Sequence, residues 1–257
     1  MVEELVPAQA AALDVFGDVC SHRLFAAERA VVDGAVASRV REFTTVRWAA
    51  AQCVRRLGHE PAPLLPGRMG APSWPHGLVG SLTHCRGYRA AVVASNSSVS
   101  GLGIDAEPDA PLPERVLAHV TSAGERRHLA ELRSADPAVR WDRLLFCAKE
   151  AFYKVWSPVM GTWLGFDEAE AFFHPADPRL PERGFTVRLT ASASRHRPRA
   201  ADGAGFPALR GRWLARRGIL IAAIATSVGE LPGGRPPAGR DEDRDGHDGR
   251  PATGMLS

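Results

Sequence analysis

The segment RGRWLARRGILIAAIAT, from Arg210 to Thr226, decides the fold class of this 257-residue chain. Its first half places Trp213 and Leu214 among arginines, and its second half is a continuous run of apolar and β-branched residues. Arg217-Gly218 between them is a typical turn sequence. The segment therefore predicts an antiparallel β-hairpin whose second strand is buried.

The regions before this hairpin predict the same plan twice, a long helix followed by strands. In the second half, a helical stretch at 138–156 and a loop at 157–165 precede strand-like runs at 169–173, 185–190, 211–215 and 219–226. In the first half, a helical stretch at 35–57 and a Pro/Gly-rich loop at 58–80 precede strand-like runs at 88–95 and 99–105. Helices and strands do not alternate singly, which favours an α+β fold over a doubly wound sheet.

We therefore expect two pseudo-twofold-related halves, each a long helix packed on a small, mainly antiparallel sheet. The expected divisions are 1–103 for the first half, 104–229 for the second and 230–257 for a disordered tail. From residue 231 the sequence is rich in Gly, Pro, Arg and Asp and has almost no large apolar side chain, so it cannot offset the entropy of ordering. A site that serves both halves is expected at their junction.

Composition excludes several classes of protein. No apolar run approaches the roughly 18 residues that a membrane span needs. The acidic start of the sequence lacks the features of a signal peptide, so a cytoplasmic location is expected. Four scattered cysteines form no C-x-x-C pair, which argues against a zinc ribbon or a disulfide framework. The net charge of +3 suits an anionic ligand or partner and is too small to indicate nucleic acid.

Two carboxylates end the run GLGIDAE. Asp105 and Glu107 are two residues apart on a predicted strand and therefore point to the same face. Adjacent carboxylates repel each other unless a cation or protons compensate them, and oxygen ligands without histidine or cysteine favour Mg²⁺. The alternative from spacing alone is a solvated strand end before a Pro-rich loop.

A third acidic residue lies in the segment FCAKEAFYK, from Phe146 to Lys154. Its apolar residues follow helical spacing, and Glu150 and Lys154 stand one turn apart on one face. Glu150 would complete a magnesium site with Asp105 and Glu107, and Lys154 would face an anionic ligand. A routine surface ion pair is the alternative, and on spacing alone it is the stronger one.

A third candidate is the segment GSLTHCRGY, from Gly80 to Tyr88, predicted as a loop before a strand. Its hydroxyl groups, histidine and glycines are groups that hydrogen-bond phosphate oxygens. Arg39 and Arg47, two turns apart on the first long helix, could each clamp a phosphate. A surface histidine and a solvated helix face are the alternatives.

Together these segments resemble the Sfp-type 4′-phosphopantetheinyl transferases, in particular the long, two-halved branch that includes the enterobactin-synthetase type. Three motifs carry the resemblance, in the family's order and spacing: P-x-W-P-x-G-x-x-G-S-x-T-H-C-x-G-Y from Pro72 to Tyr88, G-I-D-x-E from Gly103 to Glu107, and F-x-x-K-E-A-x-x-K from Phe146 to Lys154. The resemblance covers residues 35–227.

The resemblance implies residue roles. Asp105, Glu107 and Glu150 match the family's Mg²⁺ ligands, and Lys149 and Lys154 match lysines beside the phosphates of coenzyme A. The side chain between the first two carboxylates belongs to an alanine, which offers no polar ligand and leaves a coordination position to its carbonyl or to water.

Further matches concern the nucleotide and the pantetheine arm. Thr83 and His84 match the pair at the pyrophosphate and 3′-phosphate, and Arg39 and Arg47 fall where relatives bind the 3′-phosphate. Many relatives carry a lysine for the nucleotide in the loop before the P-x-W-P motif, where this chain has Arg68 as a substitute. A last match, Leu164 within Trp-Leu-Gly-Phe, borders the pantetheine arm.

The implied reaction is transfer of the 4′-phosphopantetheine arm from coenzyme A to a serine of an apo acyl or peptidyl carrier protein, with release of 3′,5′-ADP. Glu150, Lys154 and His84 are the expected catalytic residues. We expect a monomer that uses Mg²⁺ and binds neither nucleic acid nor membrane. The two rivals are a magnesium-dependent nucleotide-binding enzyme or phosphatase without a carrier partner, and a non-catalytic binding module.

Overall fold

A computed structural model of the chain describes residues 1–19, 22–174, 183–196 and 206–232. The first half holds the helices α1 (Ala26–Val31) and α2 (Ala37–Arg56) and the strands β1 (Ala11–Phe16), β2 (Leu78–Cys85) and β3 (Tyr88–Ser95). The strands form an antiparallel sheet in the order β1-β3-β2. Small residues of α2, among them Ala50 and Cys53, pack on Ala91 and Val93 of β3, so the long helix covers one face of this sheet.

The second half repeats this arrangement on a larger scale. Its helices are α3 (Glu114–Val120), α4 (Ala123–Ala135) and α5 (Trp141–Met160), and its strands are β4 (Val99–Pro108), β5 (Ala169–Phe173), β6 (Gly184–Leu189), β7 (Leu209–Arg216) and β8 (Ile219–Ser227). The strands form a second antiparallel sheet in the order β4-β8-β7-β6-β5. The apolar side of α5 packs on this sheet in the largest core cluster of the described residues. The α+β class and its two helix-on-sheet halves are confirmed.

The hairpin predicted at Arg210–Thr226 forms as β7 and β8. Arg217 and Gly218 have φ values of 56° and 74°. A two-residue hairpin turn whose twist matches that of its strands requires positive φ at both central positions. β8 is buried along nearly its whole length, as its apolar sequence predicts.

One prediction of local structure is wrong. The segment from Gly80 to Cys85 was expected in a loop, but it belongs to strand β2. Its hydroxyl side chains suggested exposure, yet Ser81 and Thr83 are buried because β4 supplies hydrogen bonds to them. The strand β1 and the helices α1, α3 and α4 were not predicted.

The two halves meet where β2 packs against β4. Ile104 N donates to Ser81 Oγ at 3.0 Å, and Ala106 N donates to Thr83 Oγ1 at 3.0 Å. Alternate side chains of one strand thus bond alternate backbone amides of the other. Side-chain hydroxyls therefore bond the two strands, and apolar residues of both sheets, among them Val92 and Ile104, share one core cluster. Among the described strands, no backbone ladder joins the two sheets.

Helix α5 approaches β4 closely at Gly103. A Cβ atom at this position would lie 1.9 Å from the carbonyl oxygen of Ala151, so only glycine fits. This contact brings the middle of α5 beside the carboxylates of β4.

The predicted chain divisions stay a prediction, and the structure shows where their bounds fall. The division at 103/104 falls inside β4, which pairs with β8 along its length. Leu231, assigned to the tail, is buried in the core, so the tail does not begin at 230. Residues 233–257 of the predicted tail lie outside the described residues. Within the described part of the chain, no helix has both the length and the apolar character to cross a bilayer.

Candidate active site

A cleft of about 380 Å³ opens between the two halves, at the expected junction. Its first side comes from α2, β2 and the loop that contains Pro66 and Trp74. Its second side comes from β4 and from the C-terminal part of α5, including Glu150, Tyr153 and Lys154. Trp74 lies across Gly80, where a Cβ would be 2.5 Å from the indole ring, so this glycine lets the loop close on β2.

Basic side chains from α2 and β2 converge in the cleft. Arg39 Nη1 lies 2.7 Å from His84 Nε2. Arg47 stacks on Phe43 with its guanidinium carbon 4.1 Å from the ring centre, and it donates to the carbonyl of Leu64. Burial lowers the pKa of Arg47 to about 10, which still leaves it cationic at neutral pH. This side of the cleft is built to receive an anion.

The histidine of the cleft is neutral at neutral pH. Burial and then the neighbouring cations Arg39, Lys154, Arg89 and Arg47 lower the pKa of His84 to about 4. A guanidinium only donates, so His84 Nε2 accepts from Arg39 and the ring proton sits on Nδ1.

Asp105 is the deepest carboxylate of the site. Its Oδ1 accepts from Lys154 Nζ at 2.8 Å and from Thr83 Oγ1 at 3.3 Å. Lys154 also donates to the carbonyl of Ile104 at 2.9 Å. Asp105 Oδ2 is buried and has no hydrogen-bond partner among the described residues. A buried carboxylate oxygen without a partner is costly, and a bound cation would relieve that cost.

Glu107 points to the same side of β4 and is held by Arg143 of α5. Arg143 Nη1 donates to Glu107 Oε2 at 2.9 Å, and its other donors reach the carbonyls of Ala110 and Pro111. Burial and then the charge of Asp105 raise the pKa of Glu107.

Glu150 faces these carboxylates from α5. Burial, followed by the charge of Asp105, raises its pKa to about 7, with Lys154 acting in the opposite direction and Glu107 adding to the rise. Three mutually repelling carboxylates therefore lie within electrostatic reach of one another at the end of the cleft.

The chemistry of these residues fits a Mg²⁺ ion. The donors are all oxygens, one of them is buried without a partner, and their mutual repulsion calls for a compensating cation. Among the described residues, no group of three His, Cys, Asp or Glu side chains already forms a closed metal site. Arg143 pairs with Glu107, and Lys154 pairs with Asp105.

Comparison with known proteins places this site in a family. Residues 27–94 match the model of the 4′-phosphopantetheinyl transferase N-terminal domain, and residues 101–201 match that of the 4′-phosphopantetheinyl transferase superfamily. This chain belongs to the 4′-phosphopantetheinyl transferases. The sequence-based prediction of an enzyme that transfers phosphopantetheine from coenzyme A to carrier proteins is confirmed at the level of the family.

Three curated relatives are similar over most of this transferase. It is 44% identical to the 4′-phosphopantetheinyl transferase Svp of Streptomyces mobaraensis over 98% of this chain and 97% of the relative. It is 43% identical to PptT of Mycobacterium tuberculosis over 77% of this chain and 83% of the relative. It is 40% identical to Npt of Nocardia iowensis over 88% of this chain and 99% of the relative.

The structure corrects the role expected for Lys149 in this transferase. The Lys149 ammonium is fully buried and donates to Glu125 Oε2 at 3.0 Å and to the carbonyls of Val120 and Phe166 at 2.7 and 2.8 Å. All three of its N–H donors are used, so none remains for a phosphate. Lys149 therefore holds the fold together, although it is adjacent to Glu150.

The roles expected for Thr83 and Leu164 agree only partly with their positions in the structure. Thr83 lines the cleft, but its hydroxyl already bonds the Asp105 carboxylate and the backbone amide of Ala106. It therefore positions Asp105 rather than a phosphate. Leu164 is a core residue that lines a neighbouring cavity rather than the main cleft, and exposed Trp163 lines both. The side chain of Arg68 lies outside the described residues.

Sequence reasoning missed three charged partners of the transferase site. Arg143 lies two helical turns before Glu150, a spacing that places both on one side of α5. Glu42 lies one turn after Arg39, and Arg89 faces His84 across the β2–β3 ladder. These spacings were signals, but each becomes informative only when the partner's position is known.

Proposed function

We propose that this protein transfers the 4′-phosphopantetheine arm of coenzyme A to a serine of an apo acyl or peptidyl carrier protein, with release of 3′,5′-ADP. The observation that carries the proposal is the junction cleft: Arg39 and Arg47 line its basic end, on the side of the first half, and Glu150 and Lys154 line its acidic end, with Asp105 of β4 next to them. Such a cleft suits an elongated ligand with phosphates at two separate places.

The basic end suits the 3′-phosphate of the nucleotide. Arg39 and Arg47 provide fixed positive charge, and His84, which follows Thr83 on β2, contacts Arg39. Arg68 remains a proposed nucleotide contact on sequence grounds.

The acidic end suits the pyrophosphate. Asp105, Glu107 and Glu150 would hold Mg²⁺, which supplies positive charge against the phosphate oxygens when it is bound. Lys154 stands at this end with its ammonium on Asp105, and it offsets charge that develops on the leaving phosphate.

The reaction forms a bond between the carrier serine Oγ and the β-phosphorus of coenzyme A. The bond from that phosphorus to the oxygen bridging to 3′,5′-ADP breaks, and the nucleotide leaves with the electron pair. Glu150 receives the serine proton, directly or through a water. Its place on α5, facing Asp105 and lining the cleft, puts it within reach of an incoming hydroxyl group.

The partners and setting follow from the same proposal. The carrier would dock at the mouth of the cleft, where exposed Met69 and Trp163 offer apolar contacts. We propose a monomeric, cytoplasmic enzyme without nucleic-acid or membrane partners.

The test is to incubate the protein with coenzyme A, Mg²⁺ and apo-carriers of the fatty-acid, polyketide and nonribosomal-peptide classes. Mass spectrometry should show the gain of one arm on a carrier, and none on a carrier whose acceptor serine is replaced by alanine. Turnover of coenzyme A without any carrier would support the phosphatase alternative. Ligand binding that is indifferent to Mg²⁺, with no turnover at all, would support the binding module.

A further inference from the structure

We propose that Glu42 is a positioning residue that fixes the ring orientation and tautomer of His84, and that Arg89 holds Glu42 in place for this task. The inference rests on the proposed role of His84 at the 3′-phosphate of coenzyme A. It adds two residues to the site that the motifs do not contain.

A continuous chain of polar contacts connects the three residues. Glu42 Oε2 lies 3.4 Å from His84 Nδ1, and Glu42 Oε1 accepts from Arg89 Nη2 at 3.3 Å. On the far side of the ring, His84 Nε2 lies 2.7 Å from Arg39 Nη1. The order is therefore Arg89, Glu42, His84, Arg39, and the last two line the cleft.

Arg89, the first residue in this series of contacts, is held in place by the fold. Arg89 is the cross-strand partner of His84 in the β2–β3 ladder. Its side chain is 5% exposed, and its Nη1 donates to the carbonyls of Cys85 and Tyr88 at 2.6 and 3.1 Å. Asp18 also accepts from Arg89 Nη2, at 2.8 Å. A buried arginine anchored in this way gives Glu42 a fixed partner.

The contact with Glu42 decides which nitrogen of His84 carries the proton. A carboxylate accepts, so it stabilises the tautomer with a proton on Nδ1 and turns Nε2 toward the cleft. Nε2 then faces the position where Arg39 and a bound phosphate meet. Without Glu42 the ring could rotate or adopt the other tautomer, and Nε2 would no longer accept from Arg39, which it holds at the place where the phosphate binds.

Glu42 also stabilises a charged ring when an anion arrives. In the ligand-free protein, burial and four nearby cations keep His84 neutral. A bound phosphate offsets those cations, and the carboxylate at Nδ1 then stabilises the imidazolium that donates from Nε2. The same residue therefore serves the ligand-free and the bound ring.

The experiment compares Michaelis constants for coenzyme A and for dephospho-coenzyme A, which lacks the 3′-phosphate. Glu42→Leu should raise the constant for coenzyme A about tenfold, the loss expected for a charge-assisted hydrogen bond, and leave that for dephospho-coenzyme A within about twofold. Glu42→Gln, which keeps an oxygen acceptor, should give an intermediate value. Unchanged constants for both ligands in Glu42→Leu would overturn the proposal.

Asp18→Asn is the matched control, because Asp18 binds the same arginine but does not contact His84. It should leave both constants unchanged. If it raises the constant for coenzyme A as much as Glu42→Leu does, the effect is a structural one transmitted through Arg89, and the proposal fails.

A double-mutant cycle separates this inference from the proposed function. If Glu42 acts through His84, Glu42→Leu adds nothing to His84→Ala. Additive losses overturn the positioning role. Coupled losses that are equal for both ligands would retain Glu42 as the partner of His84 and remove the 3′-phosphate from the proposed function.

Discussion

Helix α5 carries the only two lysines among the 32 basic residues of the sequence, and their surroundings are opposite. Lys149 is sealed in the core, where its ammonium bonds Glu125 and two carbonyls from separate elements. Lys154 pairs with Asp105 at the cleft, with its side chain 30% exposed. Five residues correspond to about 140° around a helix, so the two lysines face different parts of the molecule.

This difference separates a lysine that holds elements together from one that can exchange partners. A compact ammonium directs three N–H bonds apart, which suits three acceptors on α3, α4 and the segment before β5, whereas a planar guanidinium does not. Among the described residues, the Lys154 ammonium bonds two oxygens, and its third donor is available to an anion.

The largest difference should appear in chemical reactivity. An amine-specific reagent such as formaldehyde with a mild reductant should modify Lys154 in the native protein, and Lys149 only after global unfolding. Because unfolding costs about 5–15 kcal/mol, the rates should differ by more than about a thousandfold. Peptide mapping after partial modification gives the two rates. Similar rates would show that the Lys149 site opens readily, and coenzyme A should slow only the reaction at Lys154.

Lys149→Met should produce the largest loss of stability. It leaves the buried Glu125 carboxylate without its cation, and the free energy of unfolding should fall by roughly 3–5 kcal/mol in urea titrations. Lys149→Arg should also be destabilised, because a planar guanidinium cannot replace the three bonds of the ammonium. Adding Glu125→Gln to Lys149→Met should recover part of the loss because no buried charge remains. A loss below about 1 kcal/mol for Lys149→Met would mean that the pair contributes little.

Lys154→Met should show the reverse pattern. Asp105 keeps its bond from Thr83, and the Lys154 side chain that is lost is 30% exposed, so the loss of stability should be only about 1–2 kcal/mol. Transfer to the carrier should fall at least about 100-fold, which corresponds to about 2.7 kcal/mol of transition-state stabilisation. Normal transfer by this variant would remove Lys154 from the reaction.

The last effect is a pH dependence of stability at Glu150, next to the Lys154–Asp105 pair. The pKa of Glu150 is raised from 4.5 to about 7, so the folded state binds more protons than the unfolded state between these values. Stability of the metal-free protein should therefore fall as pH rises through this window, by about 1–3 kcal/mol. Thermal melts in EDTA from pH 4.5 to 7.5 measure the slope. Glu150→Gln should flatten it, and an unchanged slope would assign it to other groups.

Much of the fold was predictable because the relevant patterns are local. The apolar run of β8 and its Arg-Gly turn predict the hairpin, and the helical spacing around Phe152 predicts α5. The strand β2 was missed because its buried hydroxyls have their partners on β4. That strand follows β3 in the sequence and belongs to the other sheet. A sequence pattern contains no sign of partners that arrive from elsewhere in the fold.

The same distinction applies to the candidate site: the residues inside the motifs were predicted, and their partners outside the motifs were not. The motifs place Asp105, Glu107, Glu150 and Lys154 together, as the structure does. They place Lys149 there as well, because a motif records adjacency along the chain and not direction around the helix. Glu42 stands outside every motif, and its relation to His84 depends on the packing of α2 against β2.

The pairing of β4 has a consequence for folding during synthesis. The strand that carries Asp105 and Glu107 has one backbone partner, β8, and everything from α3 to β7 is made between the two. Pairings so distant in sequence form slowly, because a long loop must close before any contact compensates for it. A growing chain can complete the first sheet early, but its catalytic strand remains without a ladder until Ser227 has left the ribosome. The enzyme therefore acquires its active site as one of the last events of its own synthesis.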